Sequence, residues 1–201
     1  MKKISYIFLL LASFSASTIY AQLQEDLNTY NKERLSIQQK GMATLGVWAI
    51  GNIAWGTVGV LNTDGATQEF HKMNLIWNGV NLALALPGYI SAGKGKYALT
   101  LRQTYKEQQK FEKSFLINSG LDLGYILGGL YLTEKSKNTN NKSDHDKELG
   151  YGNSFMLQGT FLLLLDVTLY SIHSIHGNKK LDSILDKVTV GSNGIGYIHR
   201  F

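Results

Sequence analysis

The feature of this sequence that most constrains its fold is a set of four long segments with almost no charge. Each segment is 19 to 22 residues long, and the four together hold only Asp122 and Asp166, besides His173. An α-helix needs about 20 residues to cross the hydrocarbon core of a bilayer, and soluble helices seldom run so far without a charge. The segments therefore predict four membrane-spanning helices, at residues 41–61, 73–92, 114–132 and 154–175. A secreted bundle of unusually apolar helices is the alternative.

The polar segments around these spans set the predicted domain boundaries. Residues 1–21 run from a basic start through an apolar stretch to small residues, which is typical of a secretory signal peptide cleaved after Ala21, with cleavage nearer Ser17 or an uncleaved anchor as the alternatives. Residues 22–40 predict a polar amphipathic helix, and residues 41–177 predict the four-helix membrane domain. Residues 178–201 form a polar tail, in which Val188 to Phe201 predicts a short C-terminal β ribbon.

Two features predict breaks in the helices. The segment from Thr133 to Asn153 is poor in apolar residues, so we expect a mobile loop there. Pro87 is the only proline, and it should kink or end the second helix because proline removes a backbone donor.

Parts of the two halves of the chain resemble one another. The run from Asn52 to Trp55 matches the residue types from Asp122 to Tyr125, 70 positions later. Asn78-Gly79 matches Gln158-Gly159, 80 positions later, and the longer second loop accounts for the difference. The matches are consistent with a duplicated helical hairpin, although apolar helices also resemble one another by chance.

Small residues predict where helices approach one another. Gly120, Gly124 and Gly128 recur every four residues along one side of the third span. Such a stripe lets a neighbouring membrane helix pack closely, so it predicts a packing groove.

A polar stripe follows each predicted span. Asn74, Asn78 and Asn81 share one side of the second helix because their spacings are four and three. Lipid cannot satisfy amides or carboxyls, so the stripes should turn inward and meet. The predicted polar layer comprises Asn52, Asn74, Asn78, Asn81, Asp122, Gln158 and Asp166.

The two aspartates are the members of this layer that most strongly indicate a function. An ionised aspartate at the centre of a membrane helix costs roughly 2.5 to 3.5 kcal/mol, whereas a buried amide is ordinary helix-packing chemistry. Asp122 and Asp166 therefore predict a titrating site. The structural alternative is that both are protonated and only donate hydrogen bonds to the amides.

Histidines supply the remaining chemistry. His173 and His176 lie three residues apart, and His71 opens the second span, which suggests a metal site if the helix ends meet. Interfacial histidines bonded to water and headgroups are the simpler interpretation. The chain lacks cysteine and shows no motif for a catalytic serine, a nucleotide or another cofactor.

The charge distribution argues against nucleic acid as a partner. Without Lys2 and Lys3 the chain holds 18 basic and 15 acidic residues, so the net charge falls from +5 to +3. No stripe of basic and aromatic residues is present in the sequence. If the signal carries residue 22 across the membrane, the polar segments between the predicted spans place thirteen basic residues outside and five on the cytoplasmic side. This count reverses the positive-inside expectation.

Four stretches carry a resemblance to a known family: NKERLSIQQKGMATLGVWAIGNIAWG, FHKMNLIWNGVNLALA, LDLGYILGGLYL and GYGNSFMLQGTFLLLLD. They resemble an uncharacterised family of small bacterial membrane proteins with a signal peptide and four helices. The resemblance implies a four-helix fold in the bacterial cell envelope, with the inner membrane as the expected location. It implies no activity.

The sequence thus predicts an all-α transmembrane bundle in contact with lipid, without a cofactor and more consistent with a non-enzyme. Its polar layer is expected to bind or conduct a proton, a cation or a small polar solute. One alternative is an envelope scaffold that contacts a second copy or another envelope protein. The other is a metal-dependent intramembrane hydrolase.

Overall fold

Helices form almost the whole chain. The computed structural model describes the backbone of residues 2–191 and 194–197 and the side chains of residues 20–188. The long helices are α1 (Lys2–Asn62), α2 (Gly65–Gly93), α3 (Leu101–Ser136) and α4 (Lys142–His176). A π-helical turn (Gly177–Leu181), α5 (Asp182–Asp186) and the strands β1 (Val188–Gly191) and β2 (Gly194–Tyr197) follow, and the two strands pair antiparallel.

Local sequence signals explain the helix boundaries. Gly65 opens α2 with a φ of 55°, a left-handed conformation that favours glycine. Thr100 caps α3 in a capping box with Gln103, and the Asn141 side chain accepts a hydrogen bond from the Asp144 backbone N–H at 3.2 Å at the start of α4. Short connections between these caps turn the chain back on itself, so the four long helices run alternately up and down.

The long helices pack as two hairpins. α1 packs along α2, α3 packs along α4, and α2 joins the hairpins by packing against α4. This pairing is compatible with the predicted duplication, which stays a prediction. α3 and α4 approach each other closely at Gly129 and Gly152, where a Cβ on Gly152 would lie 2.7 Å from the Gly129 carbonyl oxygen.

The prediction that Gly120, Gly124 and Gly128 form a packing groove is wrong for contacts within the described part of the chain. Apart from the local backbone of α3 and the adjacent residues, no described atom lies within 4 Å of where a Cβ on any of these three glycines would be. The stripe faces outward because α3 turns a different side, the one that carries Gly129, toward α4.

Between residues 41 and 175 the usual distribution of side chains is reversed. Large apolar residues on the predicted spans, such as Val47, Leu84 and Leu127, are more than half exposed, whereas Asn74, Asn78 and Gln158 are fully buried. This arrangement is the one that lipid requires, because lipid solvates apolar side chains and leaves amides unsatisfied. Three helical stretches are long and apolar enough to cross a membrane, Tyr20–Asn62, Leu101–Ser136 and Lys142–Asp186.

The second predicted span differs from the other three. α2 is not among the described helices apolar enough to cross a membrane, because its three buried asparagines lower its hydropathy. Pro87 lies inside α2, which continues to Gly93, so the proline does not end this helix, and the kink that was the other expectation stays a prediction.

The expected loop between the third and fourth spans is mostly helical. α3 extends to Ser136 and α4 begins at Lys142, which leaves only residues 137–141 as the connection. An ion pair of 2.7 Å between Lys135 and Glu148 joins the two helices there. Polar composition misled the prediction because these helices extend beyond the apolar region.

The lower end of the bundle, where residues 20–40 approach α5, has an ordinary apolar core. Leu27, Tyr30, Leu181 and Ile184 form a buried cluster there. Residues 22–40 are the middle of α1 and not a separate helix, and the backbone of residues 2–21 belongs to the same helix. The signal peptide and its cleavage stay predictions, and the side chains of residues 1–19 lie outside the described part of the chain.

Candidate functional site

The predicted asparagine stripe forms the centre of a hydrogen-bonded amide network. Asn81 donates to Asn78 at 3.4 Å, Asn78 donates to Asn74 at 3.2 Å, and Asn74 donates to Asn52 at 3.1 Å. The spacing of three and four residues along α2 places each amide one turn from the next. The network therefore ties α2 to α1 through side chains that the sequence predicted to meet.

Gln158 extends this network to α4. Its amide donates to the Asn74 side chain, and its carbonyl oxygen accepts a hydrogen bond from Trp48 Nε1 at 2.9 Å. The Trp48 ring also stacks on Phe161 with the ring centroids 3.8 Å apart. Both polar ends of Gln158 are thus satisfied, which is the condition for burying an amide without a large cost.

A cavity of about 610 Å³ lies beside the amide network and is lined by residues of all four long helices. It contains both predicted aspartates, Asp122 of α3 and Asp166 of α4, and Asn81 connects it to the network. Other polar residues on its wall are Gln38, Ser114 and Asn118. The remaining wall is mainly apolar and aromatic, a composition typical of sites for small ligands.

The two carboxyl groups in this cavity interact with each other. Asp166 interacts electrostatically with Asp122, and it also interacts with Asn118. Asp122 is only 3% exposed, and its Oδ2 has no hydrogen-bond partner among the described residues. Two carboxylates at close range repel each other, so a proton or a cation between them would stabilise the pair.

A second polar layer, which sequence reasoning did not find, lies below the predicted spans. Asn31 donates to Thr104 at 2.8 Å, and Tyr30 donates to Gln108 at 2.7 Å, which joins α1 to α3. Gln108 in turn donates to the His173 backbone carbonyl at 2.7 Å, which adds α4. The four-residue spacing of Thr104 and Gln108 was the available signal.

The three histidines do not meet. His71 packs against Trp55 and Phe70 near the upper end of the bundle, whereas His173 packs against Phe111 and Phe115 near the lower end. The helix ends that a shared metal site would require do not meet, because α2 begins where α1 ends and α4 ends beside the start of α3. The described residues contain no group of three metal-ligating side chains.

His176 belongs to an ion-pair cluster outside the spans. Its Nε2 lies 2.8 Å from the Glu33 carboxylate, to which Lys180 donates at 2.6 Å. These hydrogen bonds, first from Lys180 and then from His176, hold the pKa of Glu33 below its usual value. The cluster fixes the end of α4 to α1.

Taken together, the apolar exterior, the buried amides and the interior carboxyl pair define a polar-centred helical bundle with three helices able to cross a membrane. The chain belongs to a family described as a family of unknown function (DUF6992), which matches residues 44–167. The matched region contains the whole amide network and both cavity aspartates. No curated protein matches the chain. No solved structure matches it either.

Proposed function

We propose that this chain is an integral membrane protein of four spanning helices whose interior cavity binds a proton or a small cation between Asp122 and Asp166. The bound species, or a small polar solute that accompanies it, then passes through the bundle. The location we propose is the inner membrane of a bacterial envelope.

The observation that supports this proposal most directly is the position of the carboxyl pair. Both aspartates line one cavity of about 610 Å³ among all four helices, inside the region whose exterior is apolar. Ionisable residues within membrane segments are costly to insert, and they usually mark ion or proton pathways. Purely structural hydrogen bonding is already supplied by the amide network, which has no need of carboxyls.

The cavity also offers neutral ligands for a cation. Asn81 and Asn118 lie on the wall that contains the aspartates, and Gln38 lies on it as well. Amide oxygens and carboxylates are the ligands that hard cations prefer. The α2 helix would cross the membrane with its asparagine face packed against α1 and α4 and with exposed apolar residues such as Ile76 and Leu84 toward lipid.

The test is ion flux in liposomes that contain the purified full-length protein and a trapped dye, either a pH-sensitive dye for protons or a sodium-sensitive dye for sodium. Asp122→Asn and Asp166→Asn each keep the side-chain size and remove the charge, so each should reduce proton or sodium flux at least tenfold. The matched control is Asp64→Asn, because Asp64 is exposed and precedes α2 outside the cavity. Flux that is the same in all four proteins, or equal to that of protein-free liposomes, contradicts the proposal.

A scaffold or assembly role is the second candidate, and the closed amide network favours it. The amides of Asn52, Asn74 and Gln158 satisfy one another and fix three helices in register, as a structural device would. If the aspartate variants leave flux unchanged and a substitution at Asn74 abolishes assembly, the scaffold role replaces transport. The hydrolase alternative has no support, because His71 lies at the opposite end of the bundle from His173 and His176.

A further inference from the structure

A second cavity, of about 520 Å³, lies below the first, between α1, the end of α2 and the start of α3. The two cavities share Gln38 and Phe111 on their walls, so they adjoin. The character of the second cavity is different, because its ionisable lining residues are Arg34, Lys96, Lys106 and Glu107.

Arg34 is the unusual member of this set. It is 2% exposed, its Nη1 has no hydrogen-bond partner among the described residues, and it lines the cavity. Its Nε donates to Asn31 at 3.3 Å, and its guanidinium carbon lies 5.3 Å from the centre of the Phe111 ring. A buried guanidinium without an anionic partner is unfavourable, so the free Nη1 indicates a ligand that supplies negative charge.

The charge of the cavity favours an anion with more than one negative charge. Three cations face one carboxylate, Glu107, which interacts with Arg34 at longer range but forms no salt bridge with any described residue. Three positive side chains and one negative side chain give the cavity a net charge of +2. Lys96 and Lys106 are exposed, so they would contact a ligand that enters from the mouth of the cavity.

We propose that this cavity binds a phosphate group, with Arg34 as the buried ligand and Lys96 and Lys106 as the outer ones. A guanidinium fork and lysines are the side chains that recognise phosphate oxygens most often. The site lies beside residue 41, where the first predicted span begins, so the phosphate comes either from a lipid headgroup or from solution. The site does not depend on the carboxyl pair for its chemistry.

Two binding measurements on the full-length protein distinguish the two sources. The first is calorimetric titration of the protein in neutral detergent with inorganic phosphate, against chloride at equal ionic strength. The second is retention of phosphatidate after reconstitution in phosphatidylcholine nanodiscs with and without phosphatidate. Binding in the first measurement identifies a soluble phosphate, binding only in the second identifies a lipid headgroup, and either result supports the site.

The variants test which residues bind. Arg34→Gln should weaken binding at least tenfold, and the double variant K96Q/K106Q should do the same without disturbing the core, because both lysines are exposed. The matched control is K110Q/K113Q, which removes the same charge from exposed positions of α3 that do not line this cavity. The proposal is overturned if the wild-type chain binds neither probe, or if K96Q/K106Q and K110Q/K113Q weaken binding equally.

Discussion

Asn74 joins three helices at one point. Its amide nitrogen donates to Asn52 of α1, and its carbonyl oxygen accepts from Gln158 of α4 and Asn78 of α2. A shift of α2 by one residue would break these contacts together and would leave several amides buried without partners. Asn74 therefore fixes the register of α2 against both neighbours.

Replacing Asn74 with alanine should lower the free energy of unfolding by about 1 to 2 kcal/mol, because interhelical hydrogen bonds in membranes average about 0.6 kcal/mol each. Unfolding in mixed micelles of increasing denaturing detergent measures this change. Asn153→Ala is the control, since Asn153 is exposed on α4. Equal stability of the two variants would show that the network contributes nothing to the fold.

Glu33 gives the lower end of the bundle a pH dependence. Its folded pKa is below the ordinary value of 4.5, so its stabilising effect is complete above that value and is lost as the pH falls through the folded pKa. At neutral pH Glu33→Gln should lower the free energy of unfolding by at most about 1 kcal/mol, since the pair is partly exposed. The melting temperature should fall slightly as a result. The difference from wild type should disappear in acid.

Thermal melts of wild type and Glu33→Gln between pH 7 and pH 3 test this dependence. Glu25→Gln serves as the control because Glu25 is an exposed carboxyl of the same helix. A gap between wild type and Glu33→Gln that stays constant over the whole range is inconsistent with the ion-pair cluster.

The polar residues differ in how far the sequence could predict them. The amides at 52, 74, 78, 81 and 158 were predictable, because each lies in an apolar segment where only an inward position satisfies it. The burial of Arg34 was not predictable, because Arg34 lies in a charged segment whose composition is typical of a solvated surface. Only the fold shows that α3 and the end of α4 cover this part of α1.

Among the helices, α3 and α4 approach each other closely at Gly152. A Cβ there would lie 2.6 Å from Thr133 Oγ1 and 2.7 Å from the Gly129 carbonyl oxygen. Both of these atoms belong to α3, and one is backbone that cannot move aside easily. This crossing point therefore sets the distance between the two helices.

Gly152→Ala should destabilise the bundle by about 1 to 3 kcal/mol, the usual cost of overpacking. Gly124→Ala should be neutral or should stabilise it by up to about 1 kcal/mol, because alanine favours helix and the site is open. The same detergent unfolding assay compares the two. If Gly124→Ala is the more damaging substitution, α3 uses its outward glycine stripe for packing in the protein as it exists in the membrane.

Element boundaries were predictable where a cap marked them and failed where composition was the only guide. Asn141 is a good N-cap residue, yet the polar run around it suggested a loop across residues 133–153. The Lys135–Glu148 ion pair joins the two helices in this polar region, and Gly152 packs against the α3 backbone there. Such pairing joins residues 13 positions apart and was invisible to local patterns.

The whole molecule has two kinds of interior along one bundle. Below the spans, Leu27, Tyr30, Leu181 and Ile184 form an apolar core, whereas between the spans buried amides and the Asp122 carboxyl lie among the buried apolar residues. The change from one to the other follows the change of solvent that the proposal requires, from water to lipid.

The absence of cysteine makes this change of solvent easy to map. In sealed vesicles a water-soluble maleimide should label Lys113→Cys and Glu25→Cys when the reagent is on the side of the membrane where those residues lie. It should not label Leu123→Cys or Leu164→Cys from either side. All four positions are exposed, so solvent rather than burial decides the result. Full labelling at Leu123 and Leu164 in intact vesicles would show that the apolar exterior faces water.

The two hairpins pack closely on one side of the bundle and loosely on the other, and this difference determines which side can open. α2 and α4 pack along each other, whereas α1 and α3 approach mainly near Asn31 and Thr104, and the upper cavity occupies the space between them. The side of the bundle where α2 and α4 pack together is the more rigid one, and the side between α1 and α3 is the easier one to deform. Widening that side breaks no helix and few contacts, so the volume around the two aspartates can change while the amide network stays intact.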